Sequence, residues 1–212
     1  HGAVSVMQYD EDGYLPEAVI NYLARLGWSH GDEEIFSREQ FVEWFDLAHI
    51  TPSAAQFNTE KLNWLNQHYI KTAADGRLAA EVSSRLARRG VDPEAGAPLE
   101  QVVALYKERA VNLNELTDAA EPFVIEIRPS EEMLTTHLTD VSRAALKILR
   151  DKLAGIDANE EWQKPALSLA IKETCTAAGL KMPQVAIPLR VLLLGQPQSP
   201  ALDAVLEVMG RE

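Results

Sequence analysis

Apolar side chains recur three and four residues apart along almost the whole chain, and that spacing settles the class of fold before any motif is considered. LPEAVINYLARLGW (15–28) sets Val19, Tyr22, Leu23 and Leu26 on one stripe, with Pro16 suited to a first helical turn. SREQFVEWFDL (37–47) opens with Ser37 and carries Gln40 three residues on, the pattern of a reciprocal N-terminal cap. NTEKLNWLNQHYI (58–70) aligns Leu62, Leu65, Tyr69 and Ile70 on one face. The Ala/Leu/Arg-rich run 77–89 stops at Gly90, a good C-terminal cap. After the loop GVDPEAGAP, PLEQVVALYKERA (98–110) starts a further helix. Residues 128–155 read as one helix, capped by Ser130, acidic at Glu131 and Glu132, and basic before Gly155. Residues 159–179 read as another, with Pro165 able to kink it. Only PFVIEI (122–127) has strand character. The expectation is an all-α protein of two or three small bundles, with breaks near residue 77 and at Arg128-Pro129.

Two hundred and twelve residues supply ample core material for such bundles. No apolar stretch is long enough to span a bilayer, and nothing resembles a signal peptide. The single cysteine, Cys175, cannot form an internal disulfide, which suits a reducing, cytoplasmic setting. The chain starts at His1 rather than Met and is patterned almost at once, as expected of a piece of a longer protein.

A net charge of −12 excludes nucleic-acid binding by bulk positive charge. The charge is uneven, however. Residues 1–77 carry 12 acids against 5 bases, whereas residues 129–212 carry 11 against 9, so local positive patches are expected in the later part. Catalytic and metal chemistry find little support. The five histidines are scattered without helical i,i+4 pairing, and with one cysteine there is no zinc set. The acidic runs 10–12 and 32–34 lack the alternation of a calcium loop, and no phosphate-cradling glycine loop or nucleophile elbow occurs. No catalytic residue, no metal ligand and no cofactor are expected within the chain.

One stretch is chemically odd. IPLRVLLLGQPQSPAL (187–202) buries one arginine, Arg190, among Val, Leu and Ile, and follows it with a Pro-framed turn. From the residues alone, Arg190 is either an arginine laying its stem along an apolar helix or a guanidinium presented for recognition.

Three blocks carry a resemblance that bears on those readings. HGAVSVMQYDEDGYLPEAVINYLARLGWS, then FNTEKLNWLNQHYI, then PLRVLLLGQPQSPALDAVLEVMGRE resemble, in order and from end to end, the C-terminal half of bacterial glutamyl-tRNA synthetases. In that family HGA follows a K-x-S-K-R loop that helps bind ATP, so His1 and Gly2 would stand just after it. The resemblance implies a class I enzyme that ligates glutamate to tRNA with ATP and magnesium, and this piece alone would lack that activity. It implies a stem-contact domain at 1–77 and two helical anticodon-binding subdomains at 78–128 and 129–212. It also disfavours the glutaminyl relative, whose anticodon region is built from β-barrels.

By the same resemblance, Arg190 and Leu202 would hold the first anticodon base, while Ser199, Pro200 and Leu202 would surround the middle uridine. Arg109, in YKERAVNL, would read the third base. Single-stranded RNA suits such readout, because splayed bases expose edges and faces to side chains. The implied partner is tRNA(Glu), with neither DNA nor a membrane. Trp28, Trp44, Trp64 and Trp162 read as core residues on helical stripes rather than RNA-stacking platforms. Lys61, Lys71 and the RLARR cluster (85–89) are candidate phosphate contacts. Two rival readings are a helical protein-interaction module, which would show a large exposed apolar groove, and a paralogous synthetase with a different tRNA.

Overall fold

The computed structural model describes residues 5–51, 56–156 and 162–211. His1 and Gly2 therefore lie outside the described residues, as do Glu160 and Glu161. Twelve α-helices are found among the described residues, together with short 3-10 turns at Leu47–His49 and Glu121–Phe123. The only β pairings among them are the isolated bridges Trp28–Ile50 and His30–Glu33. The protein is all-α. Chain contacts divide it into two compact units, one of His1–Arg85 with Tyr106–Ala119, the other of Leu86–Leu105 with Ala120–Glu212.

In the first unit, α1 (Val6–Glu11), α2 (Pro16–Arg25), α3 (Arg38–Trp44) and α4 (Thr59–Thr72) form in order. Pro16 occupies the first turn of α2, where its missing N–H has no intrahelical acceptor to lose. Ser37 and Gln40 make the expected reciprocal cap on α3: Gln40 N–H donates to Ser37 Oγ at 3.2 Å, and Ser37 N–H to Gln40 Oε1 at 2.8 Å. The stripe of α4 buries Leu62, Leu65 and Ile70. Tyr22 of α2 packs with Leu62 and Leu65, and Tyr69 lies against this cluster. Tyr69 also donates its hydroxyl to Asn21 Oδ1 at 2.7 Å and to the Phe36 carbonyl at 2.9 Å. Next comes α5 (Asp75–Arg88), which ends before Gly90 in the left-handed region at φ 78°, as its cap role requires. Its Arg77 forms a fork with Glu17 at 2.5 and 3.0 Å. α7 (Leu113–Ala120) also belongs mainly to this unit.

The second unit holds most of α6 (Leu99–Tyr106), then α8 (Glu131–His137), α9 (Asp140–Ala154), α10 (Lys164–Ala178), α11 (Met182–Leu194) and α12 (Leu202–Met209). Its core gathers Ala145 and Leu149 of α9, Leu167 and Ile171 of α10, Val185 of α11, and Leu202 and Leu206 of α12.

Four expectations change. The helix expected over 128–155 is two helices, because Thr139 interrupts it and caps α9, its hydroxyl accepting from Ser142 N–H at 3.3 Å. Such short polar side chains offer the backbone a bond that competes with helix continuation. Pro165 does not kink a helix. It stands in the first turn of α10, which begins at Lys164. PFVIEI forms no strand: Pro122 opens a 3-10 turn, and Ile125 N–H returns to the Glu121 carbonyl at 3.2 Å instead of joining a ladder. Trp28 and Trp162 sit on no helix, although Trp28 is buried and Trp162 packs on the second core, donating Nε1–H to the Leu206 carbonyl at 2.9 Å.

Candidate nucleic-acid interface

Helix α11 turns Val185, Ala186, Pro188, Val191 and Leu194 into the core. Arg190 therefore emerges at the margin of that face, half-buried. The helix ends at Gly195 in the left-handed region (φ 69°), and a Cβ there would stand 3.2 Å from Ile127 Cγ2, so the reversal favours glycine on two counts. The turn 195–201 then folds back to start α12 at Leu202.

One side chain ties this turn to the helix. Arg190 Nε donates to Ser199 Oγ at 2.8 Å, and Ser199 Oγ donates on to the Pro200 carbonyl at 2.8 Å. Because Nε carries the brace, the guanidinium plane is held in one orientation. Its terminal nitrogens make no hydrogen bond or ion pair among the described residues. Such a fork can bond two acceptors of a base edge or lie flat on its face. Leu202 is 6% exposed and belongs to the core cluster, and Pro200 is buried. Leu202 thus anchors the turn through its side chain and can meet a ligand only through backbone, at a helix start whose first N–H groups have no intrahelical acceptor. Arg190, Ser199, Pro200 and Leu202 are gathered at one turn.

Arg109 lies in the other compact unit. It is not helical: α6 ends at Tyr106, and Arg109 sits in the following turn with its N–H on the Tyr106 carbonyl at 2.9 Å. Its side chain is exposed. Glu115 binds backbone, accepting from Val111 N–H at 2.9 Å.

Three of the other candidate cations, Arg85, Arg89 and Lys61, are committed to carboxylates within their own units. Arg85 is only 5% exposed and bonds Asp10 at 2.9 Å, while Arg89 bonds Glu121 at 2.8 Å. Lys61 bonds Glu34 at 2.7 Å and lies 4.1 Å from the ring centre of Trp64. Glu34 is consequently held below the usual carboxylate range, by its bond from Lys61 first and the Lys61 charge second. Trp64 is 44% exposed, unlike a core residue, whereas His30 stacks on Trp44 at 4.4 Å and Trp28 packs on Phe36 and Phe41. An apolar groove of about 470 Å³ does occur in the second unit, lined by leucines of α9, α11 and α12 with Arg150 and Arg211. Among the described residues, no three His, Cys, Asp or Glu side chains cluster as a metal ion requires, and no helix is long and apolar enough to cross a membrane.

The pattern of the family described as "Anticodon binding domain" matches residues 77–212, and that of "tRNA synthetases class I (E and Q), catalytic domain" matches residues 1–64. The chain is 71% identical over its full 212 residues to a glutamate–tRNA ligase of Azoarcus sp. (strain BH72), and equally so to one of Aromatoleum aromaticum. It spans less than half of those relatives, 44% and 45% respectively. A crystal structure of a glutamate tRNA ligase from Elizabethkingia meningosepticum superposes with a TM-score of 0.79 at 28% identity, covering 95% of this chain and 40% of the other. The structure of glutamate-tRNA synthetase from Elizabethkingia anophelis gives 0.74, also at 28% identity. By sequence and fold together, the chain belongs to the anticodon binding domain family, as a stretch of the kind found in bacterial glutamate–tRNA ligases.

Proposed function

We propose that this chain is the tRNA-reading part of a cytoplasmic glutamate–tRNA ligase, and that it binds tRNA(Glu) through its stem and anticodon loop. The observation that carries the reading is the Arg190–Ser199 brace. It holds a guanidinium fork beside an irregular turn, inside the very stretch that matches the anticodon-binding pattern. Arg190 would bond or stack on the first anticodon base. Ser199, Pro200 and the backbone at Leu202 would enclose the middle uridine. Arg109 would discriminate at the third. Residues 1–77 would contact the stem, with 78–128 and 129–212 as the two anticodon-binding subdomains.

Ligation of glutamate, with its ATP and magnesium, belongs in this reading to the remainder of the enzyme. The apolar groove would suit a protein-interaction module, but such a module gives no reason for the anticodon-binding pattern. The test is a titration of the purified chain with tRNA(Glu) against an unrelated tRNA at matched salt. Preferential binding of tRNA(Glu) supports the proposal, and equal or absent binding of both defeats it.

A further inference from the structure

The turn that bears Arg109 is clamped from both sides by residues distant in sequence. On one side, Lys107 Nζ donates to the Ala73 carbonyl at 3.2 Å and pairs with Asp75 at 2.7 Å. On the other, the Val111 carbonyl accepts from Asn66 Nδ2 at 2.7 Å, and Leu113 N–H donates to the Gly13 carbonyl at 2.8 Å. Asn114 Nδ2 donates to the Glu11 carbonyl at 2.7 Å, and Asn114 Oδ1 accepts from Arg85 Nη1 at 3.1 Å.

These are not casual surface bonds. Asn66 is fully buried, its Oδ1 also accepts from Leu15 N–H at 2.8 Å, and one side chain thereby stitches 13–15 to 111. Arg85 is 5% exposed and completes the stitch by bonding both the carbonyl and the carboxylate of Asp10. Contact is so close at Gly13 that a Cβ would stand 2.8 Å from Asn114 N, and φ is +86°. A buried amide bonded at both ends, as Asn66 is, holds one arrangement, because each bond broken would leave a desolvated donor or acceptor.

We infer that Lys107, Asn66, Arg85 and Asn114 are positioning residues for readout of the third anticodon base: they fix the backbone on both sides of Arg109, and so where its guanidinium can reach. The inference rests on the proposal that Arg109 reads that base. A side chain with many rotamers discriminates between cytosine and guanine only if its Cα is fixed, since a mobile base would let it follow either edge. Loosening either clamp leaves Arg109 and its charge in place and costs selectivity.

The experiment measures the affinity of the 212-residue chain for tRNA(Glu) transcripts with cytosine or guanine as third anticodon base. Arg109→Ala sets the scale. Asn114→Ala and Lys107→Met each open one clamp at a half-buried site, and Lys107→Arg restores a cation. Melting of every variant is followed in parallel. Both clamp variants are expected to lower the cytosine-over-guanine ratio by about fivefold or more, with Lys107→Arg near wild type. If Arg109→Ala collapses the ratio while both folded clamp variants keep it, the positioning role is overturned and the Arg109 reading survives. If Arg109→Ala itself keeps the ratio, the reading fails and the positioning role falls with it. A clamp variant that melts early is judged at a temperature where it remains folded.

Discussion

Replacing Arg190 by alanine removes two separable things: a brace that the structure shows and, on the proposed reading, a base contact. The first is the brace: one hydrogen bond from a cation, Nε to Ser199 Oγ at 2.8 Å, at a half-buried site. Its loss is expected to cost about 1 kcal/mol of stability, lowering the melting temperature of a chain this size by about 2–4 °C. The second is the fork itself, worth ~1–3 kcal/mol as a base contact, or about 5- to 150-fold in tRNA affinity. Ser199→Ala separates them, since it removes the brace and keeps the guanidinium. It should reproduce most of the melting shift with a smaller loss of affinity. Arg190→Lys should not restore binding, because an ammonium cannot copy a planar fork. The assay is fluorescence titration of labelled tRNA(Glu), with melting recorded on the same samples. If Arg190→Ala lowers melting but leaves affinity untouched, Arg190 is a structural arginine and its base-reading role is refuted.

Three further outcomes are expected. Leu202→Ala should destabilise by about 2–5 kcal/mol in denaturant unfolding, since it hollows a core position that is 6% exposed; a loss below about 1 kcal/mol would contradict the anchoring role of that side chain. Burial raises the Glu17 pKa, but the bond from Arg77, its own backbone bond and the Arg77 charge together outweigh burial and hold it below its ordinary value of 4.5. That stabilisation is present above about pH 4.5 and is lost as pH falls through the lowered value. Arg77→Met should flatten the acid limb of the stability curve, and an unchanged limb would contradict the pairing. Finally, the chain alone should catalyse no glutamate-dependent ATP–pyrophosphate exchange, and measurable exchange would overturn the placement of ATP chemistry elsewhere.

The signals that proved legible were local ones. Ser37 with Gln40, Pro16 in a first turn and Gly90 after an apolar run each act within four residues, so spacing alone exposes them. The break at Thr139 was hidden because the apolar period runs on across it and only the threonine's cap reveals the interruption. PFVIEI has strand composition, but a strand needs a partner edge, and none of the described residues supplies one. Asn66 and Arg85 were the hardest to see. In sequence, each is an ordinary polar helical residue, and their importance comes from partners 29 to 75 positions away. The anticodon candidates were visible only through resemblance, because an arginine beside leucines has no chemical signature until the turn folds back and Ser199 meets its Nε.

If this acidic chain reads an anticodon through a few placed contacts rather than through bulk charge, hydroxyl-radical footprinting of tRNA(Glu) bound to it will show it. Protection of the anticodon loop is expected, lost at the first anticodon base in Arg190→Ala while the stem footprint persists. A footprint confined to the stem, or one unaltered by Arg190→Ala, would contradict it.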